Sequence, residues 1–333
     1  ERASKLISFV DTVGHEPWLR TTIRGLVGSK LDYGLLTIAA DDGATHVSRE
    51  HLGILLAMEI PVIIVITKID RVSEERVNIV EKEISRLLRI VGKIPLNIEP
   101  DSNMKFIAQV LSGGQIVPII RVSAVTGENL NLLDKLFFNL TKRTLEVEIT
   151  KPFLMYIDKV YSVTGVGTVV SGTIKQGFIE EGKEVLLGSD AQGKFRKVKI
   201  GSIEMHHYPV KKARAGDIVG ISIKGLKYDE VSRGMILCDP ELKPKAVKQF
   251  EAQVMILNHP TRIKRGYEPV LHSDTIMEAI IFEPLSKEYM VAGDVGTVRM
   301  TFKFAPHYVF EEQKILFREG KSKGIGYITK ILR

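Results

Sequence analysis

The amino-acid sequence predicts a multi-domain protein with a doubly wound α/β domain, built on a mostly parallel sheet, followed by two β-barrels. The chain has 333 residues, which is too long for one ordinary hydrophobic core. Short apolar runs alternate with amphipathic stretches over the first 150 residues, and β-rich runs with glycine-containing turns follow. We therefore expect domains at residues 1–149, 150–243 and 244–333.

The first domain is predicted to contain parallel strands with helices between them. Four apolar runs are typical of strands buried on both faces: LISFV, YGLLTIAA, VIIVIT and IVPIIRVSA. Three stretches have the spacing of amphipathic helices: SREHLGILLAME, SEERVNIVEKEISRLLRIVGK and NLNLLDKLFFNLTKR. Ser73 stands at the predicted start of the second helix. Ligands of such sheets bind at the carboxyl ends of the strands.

The rest of the chain is predicted to form two all-β domains. Short β-rich runs precede the turn-rich stretch DPELKPKA, among them FLMYIDKVYSV, GTVVSGTIKQG, FRKVKIGSIEM and DIVGISIKG. More runs follow it, among them QFEAQVMIL, VGTVRMTFKF and GIGYITKIL. Strands of this length, separated by glycine-containing turns, are typical of barrels or sandwiches.

Composition limits the class of protein. The hydrophobic content of 44% and the charged content of 26% are those of a soluble globular protein. The apolar stretch LGILLAMEIPVIIVI is interrupted by Glu59 and Pro61 and falls short of the roughly 18 residues of a membrane span. The single cysteine, Cys238, excludes an internal disulfide framework and is predicted to be a buried bystander. We therefore expect a cytoplasmic protein without a membrane partner.

The positive charge is unevenly distributed. Residues 1–150 carry 18 basic and 19 acidic residues, a net charge of −1, whereas residues 151–333 carry 29 and 21, a net charge of +8. An RNA or ribosomal partner for the second half is one interpretation, and an ordinary soluble surface is the other.

Asp11-Thr12-Val13-Gly14 closes the first predicted strand. In α/β proteins that hydrolyse nucleotides, an aspartate here reaches the Mg²⁺ of the bound phosphates, and the glycine N–H meets the γ-phosphate. Asp-x-x-Gly is also a common structural turn, so the motif alone leaves both interpretations open.

Two further motifs close later predicted strands. Asp70 ends Thr67-Lys68-Ile69-Asp70, and its carboxylate is suited to accept hydrogen bonds from N1–H and the exocyclic amine of guanine, which adenine does not offer. The alkyl stem of Lys68 is suited to cover a base face. Ser123-Ala124 follows a third apolar run and offers a backbone N–H to guanine O6. Three such motifs in this order are more specific than any one of them.

These stretches resemble the translational GTPase superfamily. DTVGHE, TKID and SAVTG are similar to its third, fourth and fifth nucleotide-binding motifs. Residues 151–188 and 213–240 resemble the second domain of elongation factor Tu, and FREGKSKGIGYITKIL resembles the third. Within the superfamily, ILNHPTRIKRGYEPVLH and the threonine of TKID most resemble the GTP-binding protein 1 group, with an archaeal relative as one option.

The resemblance implies a GTPase that uses GTP/GDP and Mg²⁺, with a ribosome, tRNA or other RNA as partner. An exchange factor is a further expected partner, and no small-molecule substrate other than GTP is expected. Asp11 would hold Mg²⁺ through water, and Gly14 would sense the γ-phosphate. His15 would be the catalytic residue, because it would orient the attacking water. Hydrolysis to GDP and phosphate would change the affinity for ribosome or tRNA.

The resemblance also assigns the base-binding residues. Thr67, Lys68 and Asp70 would bind guanine, and Ser123 with Ala124 would complete the pocket. Thr67 stands where most GTPases have Asn, so the pocket loses one side-chain amide, which weakens nucleotide binding but leaves base choice to Asp70.

Other departures concern the chain's organisation. No G-x-x-x-x-G-K-[ST] phosphate loop occurs in the sequence. We therefore expect the chain to begin inside the GTP-binding domain, without the phosphate loop and the first switch, and to be inactive on its own. The stretch NIEPDSNMKFIAQVLSGGQ is expected to be an insertion.

Two other functions remain open. One is a non-enzymatic RNA- or tRNA-binding module that uses the two basic barrels. The other is a nucleotidyl-transfer relative with the same three-domain architecture, which the switch histidine and the Arg318-Glu319-Gly320 loop disfavour.

Overall fold

The structure is a computed structural model, and it describes residues 5–11, 31–143, 146–320 and 322–332. Residues 31–143 form one compact unit, and residues 146–332 form a second. Within the described residues, no helix is long and apolar enough to cross a membrane.

A four-stranded parallel sheet is the centre of the first unit. Its strands are β1 (Gly34–Ala39), β2 (Val62–Thr67), β3 (Ile94–Asn97) and β4 (Ile116–Arg121), in the spatial order β1-β2-β4-β3. The central strand β2 is buried along its apolar run, as expected for a strand covered on both faces. Because all four strands run parallel, their carboxyl ends lie at one edge of the sheet.

Three helices connect these strands, and a fourth follows β4. They are α1 (His46–Ala57), α2 (Glu74–Ile90), α3 (Met104–Ser112) and α4 (Leu130–Asn139). Ser73 caps α2 as predicted, since its side chain accepts the backbone N–H of Arg76 at 3.3 Å. The apolar positions of α2 follow the helical period and are buried: Val77, Val80, Ile84 and Leu88.

The stretch predicted to be an insertion, residues 97–115, is part of the folded core. It contains Asn97, the last residue of β3, and the whole of α3, which connects β3 to β4. Ile107 and Leu111 of α3 are buried in the same apolar cluster as Ile120 of β4. The segment therefore packs against the sheet, and its status as an insertion stays a prediction.

The prediction of a buried strand at LISFV was wrong. Residues 6–10 form no strand, and the side chains of Leu6 and Phe9 are 69% and 68% exposed. A strand is buried in a sheet only when it bonds to a neighbour, and within the described residues β1 pairs with β2 alone. The ring of Phe9 instead packs edge-on against Phe137 of α4, with 5.6 Å between the ring centroids.

The second unit begins with the short helix α5 (Glu146–Thr150) and then forms the first β-barrel. Six strands close this barrel in the order β9-β10-β13-β7-β5-β14, and the four other strands of this domain lie outside that ring. In chain order these strands are β5 (Leu154–Tyr156), β6 (Lys159–Val163), β7 (Gly167–Gln176), β8 (Phe178–Glu180), β9 (Glu184–Gly188), β10 (Arg196–Met205), β11 (Tyr208–Val210), β12 (Lys212–Arg214), β13 (Ile218–Lys224) and β14 (Ile236–Cys238).

The second barrel is also closed, in the order β15-β20-β18-β17-β21-β22, with a separate ribbon of β16 and β19. The strands are β15 (Gln249–Asn258), β16 (Ile263–Lys264), β17 (Val270–Ser273), β18 (Ile276–Pro284), β19 (Tyr289–Met290), β20 (Val295–Phe302), β21 (Lys314–Glu319) and β22 (Ser322–Ile331). The predicted fold class, an α/β domain with a parallel sheet followed by two β-barrels, is confirmed.

The two barrels share an apolar core. Tyr156, Ile236 and Cys238 of the first barrel belong to the same buried cluster as Phe250 of the second. The Tyr156 hydroxyl donates to the backbone oxygen of Tyr308 at 3.0 Å. Burial raises the pKa of Cys238 to about 12, so this thiol is an unreactive core residue, as predicted.

A hydrogen-bonded carboxylate makes the second barrel sensitive to acid. Glu278 accepts hydrogen bonds from His307 Nε2 at 2.6 Å and from the backbone N–H groups of Phe304 and Ala305 at 2.7 and 3.1 Å. Burial alone would raise the pKa of Glu278, but these three donors outweigh it and hold the pKa below its usual value. Since the folded-state pKa is depressed, the stabilisation is present above about pH 4.5 and is lost as the pH falls through the folded-state pKa.

We expect Glu278→Gln to lower the free energy of unfolding by about 1–2 kcal/mol at pH 7, because it removes a charged acceptor. The difference from wild type should shrink as the pH falls below about 4.5, because the carboxyl is then protonated in the unfolded wild-type chain while the folded protein still holds it ionised. Urea unfolding followed by circular dichroism at pH 7 and pH 4 measures both values. Glu268→Gln is the control, since Glu268 is half exposed and pairs with Lys303 at the surface. A pH-independent difference would contradict the prediction.

Candidate functional site

The carboxyl end of β2 carries three of the predicted base-binding residues. β2 ends at Thr67, Lys68 follows with a left-handed backbone (φ 58°), and a 3₁₀ turn covers Ile69–Arg71. The turn is closed by the backbone N–H of Arg71, which donates to the oxygen of Lys68 at 3.1 Å. Asp70 lies inside this turn with its side chain exposed above the edge of the sheet.

Ser123 brings the neighbouring strand to the same place. The backbone N–H of Val122, just after β4, donates to the oxygen of Ile66 at 2.8 Å, which places Ser123 beside the end of β2. Ser123 is fully buried, and its hydroxyl donates to Asp70 Oδ1 at 2.5 Å. The same hydroxyl accepts the backbone N–H of Thr126 at 3.1 Å. Ser123 thus fixes one carboxylate oxygen of Asp70 and closes its own loop.

Two polar groups at the carboxyl ends of β2 and β4 are suited to bind a planar ligand that carries hydrogen-bond donors beside an acceptor. Asp70 keeps its second oxygen, Oδ2, while Oδ1 is held by Ser123. Ala124 is exposed, and no backbone acceptor within the described ranges takes its N–H. A carboxylate acceptor beside a backbone donor matches the N1–H, the amine and O6 of guanine. The structure therefore brings together Thr67, Lys68, Asp70, Ser123 and Ala124.

Of the predicted phosphate and metal residues, Asp11 is the one that lies within the described residues. Asp11 is exposed and lies in an irregular segment. Gly14 and His15 lie outside the described residues. No group of three His, Cys, Asp or Glu side chains suited to a metal occurs in the parts of the chain that the structure describes.

Asp41 is a site residue that the sequence analysis missed. It follows β1, and its carboxylate lies 3.5 Å from Lys68 Nζ and 3.4 Å from Arg71 Nη1. Partial burial favours the neutral acid, but Lys68, the backbone N–H of Asp42 and Arg71 outweigh it, so the pKa of Asp41 lies below its usual value. The available signal was its position: Asp41 follows an apolar strand in the same way as the motif residues do.

A second group of residues that the sequence did not reveal supports the loop that carries Ser123. Arg121, the last residue of β4, donates through Nε to Glu81 at 2.5 Å, through Nη1 to Glu74 at 2.8 Å and through Nη2 to Asn78 at 2.8 Å. Asn97 of β3 donates to the other oxygen of Glu81 at 2.7 Å. The hydrogen bond with Glu81 is the main cause that raises the pKa of Arg121. This network ties α2 and β3 to the strand that presents Ser123.

Comparison with known proteins assigns the family. Three family profiles match successive parts of the chain: "Elongation factor Tu GTP binding domain" at residues 1–159, "Elongation factor Tu domain 2" at 167–238 and "Elongation factor Tu C-terminal domain" at 243–332. The chain belongs to the translational GTPase superfamily. The resemblance inferred from the sequence motifs is therefore confirmed.

Individual relatives of this translational GTPase agree with the assignment. GTP-binding protein 1 of Xenopus laevis is 36% identical over 335 residues, covering 100% of this chain and 51% of the relative. GTP-binding protein 2 of Homo sapiens is 32% identical, covering 99% and 56%. Elongation factor 1-alpha of Thermoplasma acidophilum is 31% identical, covering 84% and 64%. The chain spans about half the length of the first two.

The fold has a matching solved structure. Translation elongation factor SelB from Methanococcus maripaludis superposes with a TM-score of 0.73, over 97% of this chain and 70% of SelB, in both its apo form and its complex with the GTP analogue GppNHp. The sequence identity is 22%, so this likeness concerns the fold alone.

Proposed function

We propose that the full-length gene product binds guanine nucleotides at the Asp70–Ser123 site and hydrolyses GTP to GDP and phosphate. The hydrogen bond from Ser123 to Asp70 is the observation that carries the proposal, because it joins two strand ends into one acceptor–donor cluster. Family membership supports the same activity. The proposed domains remain residues 1–149, 150–243 and 244–333.

Each residue of the site has a proposed task. Asp70 accepts two hydrogen bonds from guanine, Ser123 keeps the carboxylate in place, and the N–H of Ala124 donates to O6. Lys68 covers one face of the base with its alkyl stem. Thr67 is the last residue of β2 and offers one hydroxyl to the pocket.

The proposed contacts to the γ-phosphate, the attacking water and Mg²⁺ depend on three residues assigned from the family motif. Gly14 meets the γ-phosphate, and His15 orients the water that attacks it. Asp11 is the proposed residue for Mg²⁺, which would neutralise phosphate charge when bound.

Equilibrium binding tests the nucleotide site. Titration of the full-length gene product with GDP and with ADP should give binding of GDP that is at least about 100-fold tighter. The difference is expected because adenine presents an acceptor where Asp70 needs a donor. Equal affinity for the two nucleotides would refute base selection by Asp70.

We further propose that the partner is RNA, in the form of the ribosome or tRNA, in the cytoplasm, and that an exchange factor acts on the nucleotide site. A lysine pair on the first barrel supports an RNA partner. Lys199 of β10 lies directly opposite Lys224 of β13, and both side chains are exposed. Like charges in opposed positions repel, and neither lysine forms an ion pair with a described acidic residue, although Glu184 faces Lys199 from β9. Lys197 adds a third positive charge to the same face of β10.

Removing these charges should weaken RNA binding in a salt-dependent way. We expect the double substitution Lys199→Gln and Lys224→Gln to reduce the slope of log affinity against log salt by about 1.4–1.8, because each phosphate contact contributes about 0.7–0.9. Filter binding of ribosomal RNA and tRNA over a salt series measures the slope. Lys82→Gln with Lys105→Gln on the α/β unit is a control of equal charge. An unchanged slope would exclude this surface.

Repeating the filter binding in the presence of GTP and of GDP separates the GTPase from the alternative of a non-enzymatic RNA-binding module. That module would bind RNA with an affinity independent of whether GTP or GDP is present. The proposed GTPase should show a nucleotide-dependent affinity.

A further inference from the structure

The turn that carries Asp70 is attached to β1 through a charged cluster. β1 and β2 are adjacent parallel strands, and the backbone N–H of Ala40 donates to the oxygen of Thr67 at 2.9 Å. Asp41 therefore leaves its strand beside Lys68. Its position is fixed by Arg76 Nη2, which donates to the backbone oxygen of Asp41 at 3.2 Å.

The carboxylate of Asp41 contacts both ends of the Asp70 turn. Oδ1 pairs with Lys68 at the beginning of the turn and Oδ2 with Arg71 at its end. Asp70 lies between these two residues, with its own carboxylate held from the other side by Ser123. The turn is thus held by β1 on one side and by β4 on the other.

We propose that Asp41 is a positioning residue of the nucleotide site, which fixes the Lys68–Arg71 turn and so presents Asp70 and the alkyl stem of Lys68 to the base. This inference rests on the proposed function. A side chain as mobile as lysine covers a base more effectively when its ammonium is already held. Thr67 increases the need for such support, because threonine lacks the amide with which asparagine braces a neighbouring loop.

The pairing also balances charge at the Asp70 turn. Asp41 carries one negative charge and faces the two positive charges of Lys68 and Arg71, so these three side chains together are not negatively charged. Arg71 has a 61% exposed side chain and Lys68 a 44% exposed one, so the separate ion pairs are weak and their combined effect on the turn is what matters.

The test is a mutant cycle in which the Kd for GDP of each variant of the full-length gene product is measured. Asp41→Asn should raise the Kd for GDP about five- to tenfold, because both ends of the turn are released. Asp42→Asn is the matched control, since Asp42 is the exposed neighbouring carboxylate, and it should change the Kd by less than about twofold. Thermal melting of each variant confirms that the fold is retained.

The second arm of the cycle separates positioning from a general structural role. In a background of Lys68→Met and Arg71→Met, which keeps the apolar stems and removes the charges, Asp41→Asn should have no further effect on the Kd. An unchanged Kd for Asp41→Asn alone, or an equal loss in both backgrounds, would overturn the inference while leaving GDP binding intact. Failure of the wild type to bind GDP would overturn the proposed function as well.

Discussion

Asp70→Asn should weaken GDP binding by about 10²- to 10⁴-fold. The substitution replaces a carboxylate that accepts two hydrogen bonds with an amide that accepts one and opposes a donor with a donor. Hydrogen bonds to a charged group contribute about 1.5–3 kcal/mol each, and an unpaired donor adds a desolvation cost. Ser123 keeps the side chain at position 70 in place, so the loss should be specific to the base.

Isothermal titration with GDP, ADP and xanthosine diphosphate measures this effect in the full-length gene product. Xanthine has a carbonyl where guanine has its exocyclic amine, so the amide of the variant should recover affinity for it. Asp134→Asn, an exposed carboxylate on α4, controls for the loss of one charge and should bind GDP as the wild type does. GDP affinity retained in the Asp70→Asn variant would remove Asp70 from the base site.

His15→Ala should slow partner-stimulated GTP hydrolysis by about 10²- to 10³-fold and leave GTP affinity within about threefold. His15 lies outside the described residues, and its role is proposed from the DTVGHE motif. A group that only orients the attacking water acts in the transition state, so kcat falls while ground-state binding persists.

Phosphate release under single-turnover conditions, beside equilibrium GTP binding, separates the two quantities. His46→Ala on α1 is a suitable control, since His46 is exposed and pairs with Glu50 of its own helix. Undiminished partner-stimulated turnover in the His15→Ala variant would remove His15 from the mechanism.

Much of the fold was predictable because its elements carry strong local patterns. The uninterrupted run of β2 can be buried only in the middle of a covered sheet, and Ser73 with the spacing of α2 marks a capped amphipathic helix. The two barrels were predictable from short β-rich runs and their turns. The order of the strands around each barrel was not, because pairing depends on contacts distant in sequence.

Other features could not be predicted because they depend on neighbours in space. LISFV has the composition of a buried strand, but composition does not state whether a hydrogen-bonding partner is present. The packing of α3 against the sheet was not predicted either, since β3 before it is a short edge strand with a mixed burial pattern.

In the candidate site, too, the motif residues could be predicted from the sequence, whereas the residues that support them could not. Asp70 and Ser123 stand in recognisable motifs and were predicted to share one pocket, whereas Asp41 and Arg121 act through ion pairs to other segments. Such pairs have no local sequence pattern, because a charged residue after a strand is more often simply solvated. Supporting residues of a site are therefore found from geometry rather than from motifs.

The measurement that tests the central claim most directly is phosphate release from GTP by the purified full-length gene product with Mg²⁺, alone and with ribosomes. We predict slow release alone and a marked stimulation by ribosomes, with no comparable release from ATP. Equal release from GTP and ATP would contradict a guanine-specific site, and tight ribosome binding without any release would favour the non-enzymatic RNA-binding module.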